Sequence, residues 1–185
     1  MANPGTLEQA PSRTKDEVIR EAKRIEESLL HSSKGHFEAS RFWGNFHLWL
    51  GIPVVIMSTM AGASFLTKFE YGNVIAGVLS LCVAVISAVM TFLNPNEKVS
   101  AHLNAGNSYD ALMNETRIFW AVDCWGQASE ETLTEKLKYI SEQKNELNRK
   151  CPQIPKFAYQ QAKKGIDAGQ AKFTVDEKPA ALPPA

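Results

Sequence analysis

Between Asn73 and Leu93 the chain reads NVIAGVLSLCVAVISAVMTFL, 21 residues without one charged side chain. At 1.5 Å per residue such a helix is about 31 Å long, which matches a hydrocarbon core of about 30 Å. A buried helix in a soluble protein of only 185 residues is rarely apolar on every face. The segment therefore reads as a transmembrane helix. Mean hydropathy, at −0.22, hides it, because the 22% of residues that are charged crowd into the flanks.

A second apolar run, Leu48 to Thr67 (LWLGIPVVIMSTMAGASFLT), is just long enough to cross. Inside it Pro53 removes a backbone donor and leaves the Trp49 carbonyl without its helical partner. A kinked or tilted span beginning near Leu48 is expected, with Trp43 and Trp49 at the interface. Thr67 to Gly72 (TKFEYG), only six residues, joins the two runs and forces an antiparallel hairpin. The N-terminus lacks a basic-then-apolar leader, and Lys34, Arg41 and Lys98 on the flanks outweigh Lys68 in the loop. Both termini are expected in the cytoplasm.

The flanks read as amphipathic helices. Thr14 to Glu17 has the form of a capping box, followed by Val18, Ala22, Ile25 and Leu29 at helical spacing and a helix end near Ser32-Ser33-Lys34-Gly35. A second segment, His36 to Trp49, leads into the membrane. Beyond the second span, Asn94 fits an N-cap, Pro95 the first helical position and Glu97 the closing residue of a box. His102, Ala105, Tyr109, Leu112, Thr116 and Phe119 form that helix's inner stripe. Ser129 or Thr132 caps another helix carrying Leu133, Leu137, Ile140 and Leu147. A short helix from about Lys156 ends at Gly165. The expected fold is all-α: a two-helix transmembrane hairpin (48–67 and 73–93) with a cytoplasmic helical bundle from both flanks (14–47 and 94–165). A flexible N-terminus (1–13) and a mostly disordered tail (166–185) complete it.

In the second span Asn73, Gly77, Ser80, Ala84, Ser87, Thr91 and Asn94 recur every three or four residues on one face. Apolar side chains gain nothing in lipid by choosing a helix over acyl chains, whereas small residues allow close approach and hydroxyls bond across helices. The stripe is expected to face protein or water. It either packs against Ser58, Gly62 and Ala63 of the first helix, packs on the same stripe of another subunit, or lines a narrow pore of low selectivity.

Signs of catalysis are missing: no Gly-rich phosphate loop, nucleophile motif or metal-ligand spacing occurs, so no enzyme, cofactor or metal is expected. His31, His36, His47 and His102 include no pair four residues apart, and His102 reads as a hydrogen-bonded interior residue. Cys82, Cys124 and Cys151 are expected to be reduced. Formal net charge is zero, which gives no reason to expect nucleic acid. Arg117, Lys136, Arg149, Lys150, Lys163 and Lys164, with Trp120 and Trp125, either surround an anionic ligand or form a solvated face.

From His36 to Gly165 the chain resembles the SLATT family of two-transmembrane effector domains. The resemblance rests on HFEASRFWGNFHLWLGIP (36–53), on the hairpin, on FLNPNEKVSAHLNAGNSYDALMNETR (92–117) and on IPKFAYQQAK (154–163). Asn94, Pro95, Glu97, His102, Tyr109 and Leu112 match the family pattern, while Asn114 stands where many members carry a basic residue. The resemblance implies a homo-oligomeric effector of bacterial anti-phage defence in the inner membrane. It implies control by a nucleotide second messenger, such as a cyclic nucleotide, from a partner enzyme encoded nearby. The released effector would perforate the membrane and kill or arrest the cell. The residues of a nucleotide site remain open. The rival reading is a non-conducting anchor that recruits a partner through its cytoplasmic helices.

Overall fold

The structure is a computed structural model that describes residues 13–66 and 70–173. Among the described residues five helices follow in order: α1 (Arg13–Leu66), α2 (Gly72–Leu93), α3 (Pro95–Ala121), α4 (Glu130–Lys150) and α5 (Lys156–Asp167). A 3-10 turn, Asp123–Trp125, lies between α3 and α4, and no strand occurs among the described residues. The N-terminal residues 1–12, loop residues 67–69 and the end of the tail, 174–185, lie outside the described residues, and with them all but Arg13 of the expected flexible N-terminus and all but 166–173 of the expected disordered tail.

The first helix is continuous over 54 residues, about 81 Å. Ser32-Ser33-Lys34-Gly35 reads as a helix end, yet α1 passes through it. These small residues serve packing instead: Ser33, Gly35, His36, Ala39 and Ser40 are all buried. A Cβ on Gly35 would meet Ile154 at 3.0 Å, so the chain after α4 lies directly on this helix. Pro53 sits inside α1, within the span expected to begin near Leu48. One lost hydrogen bond does not break a helix whose neighbouring turns keep theirs.

α2 packs back along the apolar half of α1, and α3 continues along its polar half. The joint between them is one residue. Asn94 adopts a left-handed backbone (φ 43, ψ 61), its N–H bonds the Met90 carbonyl to close α2, and Pro95 opens α3. The expected capping box does not form here. A side-chain N-cap needs extended backbone, and the left-handed turn that ends α2 excludes it. Asn94 Nδ2 instead donates to Glu97 Oε2 at 2.6 Å.

The core below the hairpin joins Val18, Ala22, Ile25 and Leu29 of α1 to Tyr109, Leu112 and Phe119 of α3, with Cys124, Leu133 and Ile140. α4 packs on α1 and α3, and α5 packs on α1. Ser129 is the N-cap of α4, its hydroxyl accepting from the Thr132 N–H at 3.2 Å. Gly165 does not end α5. The helix runs to Asp167, Gly169 takes the left-handed turn (φ 85), and Gln170 N–H bonds the Gly165 carbonyl, the pattern of a Schellman cap.

The molecule is thus all-α, an apolar helical hairpin with helices from both flanks bundled below it. α1 and the α2–α3 stretch each contain a segment long and apolar enough to cross a membrane, and only 6% of each segment is buried within the chain. Leu66, Phe92 and Trp49 are among the large side chains left exposed there.

The seam between α1 and α3 depends on Gly106, where a Cβ would stand 2.7 Å from the Phe37 ring. Gly106→Ala should cost about 1–3 kcal/mol by overpacking. Gly62→Ala, with nothing within 4 Å, should change stability by less than about 0.5 kcal/mol. Thermal unfolding in detergent, followed by circular dichroism, checks both, and equal Tm values for the two variants would contradict the close seam.

Candidate functional site

Two places bring together the residues singled out by sequence: the outer face of α2 and the seam of α1 with α3. On α2, Gly72 and Ala76 are buried, and Leu79, Val83, Ile86, Met90 and Leu93 are half-buried along the same line. These residues face α1. Asn73, Gly77, Ser80, Ala84, Ser87, Thr91 and Asn94 each follow one position later, which turns their stripe by about 100° away from α1. All but Ser87 are exposed. Nothing lies within 4 Å of a Cβ placed on Gly77 or Gly62. Ser80 does share a shallow groove with Ser58, Ala61 and Gly62. Otherwise the chain itself leaves the stripe open. Some hairpin hydroxyls are satisfied within their own helix: Ser58 donates to the Val54 carbonyl, Thr59 to that of Val55 and Thr91 to that of Ser87.

The exit residues lie at different depths. Asn94 and Glu97 bond each other at the exposed joint, and Pro95 is buried there. His102, Tyr109 and Leu112 point inward, with Ala105, Thr116 and Phe119 of the same stripe. His102 meets a partner that spacing did not reveal. His36 of α1, 66 residues earlier, places its Nδ1 2.9 Å from the His102 Nδ1. The His36 ring stacks on Tyr109 at 5.3 Å, and the Tyr109 hydroxyl donates to Asn148 Oδ1 of α4 at 2.8 Å. A polar chain thus runs from the buried histidines and Tyr109 across three helices to Asn148, which is exposed on α4. The only sequence signal for it was a histidine inside an otherwise apolar stripe.

Burial governs the protons of this chain. It holds the His36 imidazole down to about 4, with His102 as the second cause. His102 is lowered by burial and then by Lys98. Burial, with Cys151 adding to it, pushes the Tyr109 phenol up to about 12. The Cys124 and Cys151 thiols are also pushed up by burial, away from the thiolate that a nucleophile requires. At neutral pH the cluster is uncharged. Its geometry suits holding and sharing protons.

The basic residues do not gather into one pocket. Lys136 pairs with Glu115, and Lys150 pairs with Glu146. Trp120 donates to Glu26 and lies under Lys23, while Trp125 is exposed. Arg117 stacks over Phe173 in a cavity of about 440 Å³ between α1, α3 and the chain after α5. Lys23, Lys34 and Lys172 line it, but so do Glu26, Glu27 and Asp110, which nearly cancels its charge. Among the described residues no cluster of three or more His, Cys, Asp or Glu stands ready for a metal.

The histidine pair makes stability depend on pH. An unfolded His36 takes up a proton near pH 6.5, whereas the folded one resists until about 4. The unfolded state then binds more protons in this window, so stability is full above about pH 6.5 and declines as pH falls toward about 4. Tm in detergent should fall over that range, and a flat profile would contradict the buried pair. Tyr109→Phe, which removes the bond to Asn148, should cost about 0.5–1.5 kcal/mol, and an unchanged Tm would contradict that bond.

Compared with family models, curated proteins and solved structures, the chain gives no match.

Proposed function

We propose that this protein is a membrane effector that assembles from several copies, with the outer stripe of α2 facing an opening between them. The observation that carries this reading is the orientation of the stripe. Gly77, Ser80, Ala84, Ser87 and Thr91, with Asn73 and Asn94 at the two ends, recur every three or four residues on a line turned away from the one that α1 covers, beside helical faces that are otherwise apolar. In lipid such a stripe favours close contact with another helix, or water. Two further features support a hairpin with both flanks on one side, and the flank charges are the reason for reading that side as cytoplasmic. The apolar faces are exposed, and α1 packs on α3 beyond the hairpin, which requires both flanks on one side of a bilayer.

The resemblance to SLATT effectors supplies the biological setting of the proposal. A nucleotide second messenger from a partner enzyme controls the assembly in the bacterial inner membrane, and its release perforates that membrane during phage infection. One observation favours the alternative, a non-conducting anchor for a partner. The hydroxyls of Ser58, Thr59 and Thr91 are satisfied within their own helices, so they do not call for water.

Dye release from liposomes loaded with the purified chain, with and without cyclic di- and oligonucleotides, separates the two. The effector reading expects leakage that one nucleotide switches on or off. Ser80→Leu, Ser87→Leu and Thr91→Leu combined should abolish leakage while insertion remains intact. Full leakage by that variant would remove the stripe from the opening, and no leakage by the inserted wild type under any condition would favour the anchor.

A further inference from the structure

The paired histidines have a position in the fold that the proposed function does not use. His36 is 1% exposed and His102 5%, and they come from different helices. Two imidazole nitrogens 2.9 Å apart hold one proton between them: one ring donates an N–H and the other accepts it on a lone pair. The pair therefore tolerates its neutral form and a form with one extra proton. A second extra proton sets N–H against N–H, with two cations at a ring separation of 5.2 Å in a buried site. Among the described residues, no carboxylate is a cause of the shift at either ring. The groups that bear on them are each other and Lys98 of α3. Tyr109 of α3 stacks on His36 and bonds Asn148 of α4, and Cys151 at the end of α4 acts on Tyr109. α5 brings its Tyr159 to His31 rather than to the pair.

The pair is also mechanically well placed. His36 lies about 18 Å along α1 before Leu48, on the same unbroken helix. His102 lies about 12 Å along α3 beyond Asn94. Between the pair and the hairpin, polar and close-packed contacts tie the two helices. Ser40 donates to the Val99 carbonyl at 3.2 Å, Lys98 lies over the Trp43 ring at 4.8 Å, and Gly44 approaches Val99. Beyond them stands the single-residue joint at Asn94.

We propose that the His36–His102 pair is a proton-operated latch. While it shares one proton it clamps α3 to α1 beneath the hairpin, and when both rings are charged it lets α3 swing away about Asn94. The latch rests on the hairpin geometry and not on pore formation, so its test does not depend on leakage.

The test is hydrogen exchange of the full chain in phosphatidylcholine nanodiscs at about pH 7.5 and about pH 4.5, with each rate divided by the intrinsic rate at that pH. In the wild type, amides 99–109 should exchange at least about tenfold faster at the lower pH, while those in the middle of α2 should not change. The double variant His36→Gln, His102→Gln has amides that can bond each other and cannot charge, so it should show no acid-induced rise. An unchanged wild type, or the same rise in the double variant, would overturn the latch. Should the double variant lose its helicity, nitrogen NMR of the wild-type imidazoles decides. Two coupled steps below the ordinary histidine range support the latch, and independent titration of both rings near about 6.5 overturns it.

Discussion

The close approach of α3 to α1 rests on residues with little side chain. Gly106 of α3 lies under the Phe37 ring, Gly44 of α1 comes near Val99, and Gly35 on the same helix lies under Ile154 of the chain after α4. Interiors pack near crystal density, so larger residues at these positions would hold the helices apart. Because the backbones come this near, His36 reaches His102 and Ser40 reaches the Val99 carbonyl. The larger core of Leu29, Tyr109, Leu112 and Phe119 then closes further from the hairpin. The polar chain from His36 to Asn148 is a consequence of that approach and is satisfied within it.

Continuity is the second organising feature. α1 carries the apolar stretch and the bundle on one rod of 54 residues, with no loop to absorb a displacement between them. On the returning side, the same two regions are separated by Asn94 alone, whose left-handed backbone ends one helix as Pro95 begins the next. A rigid element beside a jointed one is an arrangement in which a small change in the bundle alters the base of the hairpin. The proton-sharing pair lies between the joint and the main core.

The outer stripe of α2 is governed by different physics. Within the chain, α1 takes the line of Gly72, Ala76 and Val83, which allows the two helices to pack closely. On the adjacent line Ser80 borders a shallow groove beside α1, while a Cβ on Gly77 would meet nothing within 4 Å. In water these small residues would be unremarkable. Beside the exposed apolar faces of Val78, Leu81 and Val85 they are a reason to look for a second helix.

Much of this fold is legible in the sequence, for local reasons. The 21 uncharged residues from Asn73, the six-residue link and the inner stripe from His102 to Phe119 follow from periodicity and length, which a chain cannot conceal. The helix ends expected near Gly35 and at Gly165 do not occur, and α1 runs on through Pro53. A small residue or a proline marks an end only where nothing else holds the helix, and at Gly35 the packing of Ile154 turns the apparent break into a contact surface. Asn94 departs from its expected role for a related reason: its backbone serves the end of α2 before its side chain can serve the start of α3. Sequence alone determined that the chain is helical, where its apolar hairpin lies and which residues share each face, because side-chain period is a local property. Only the tertiary structure decided that His102 meets His36 across 66 residues and that the α2 stripe turns away from α1. Both depend on the rotation and spacing of packed helices, which are set by side-chain volumes on two elements at once.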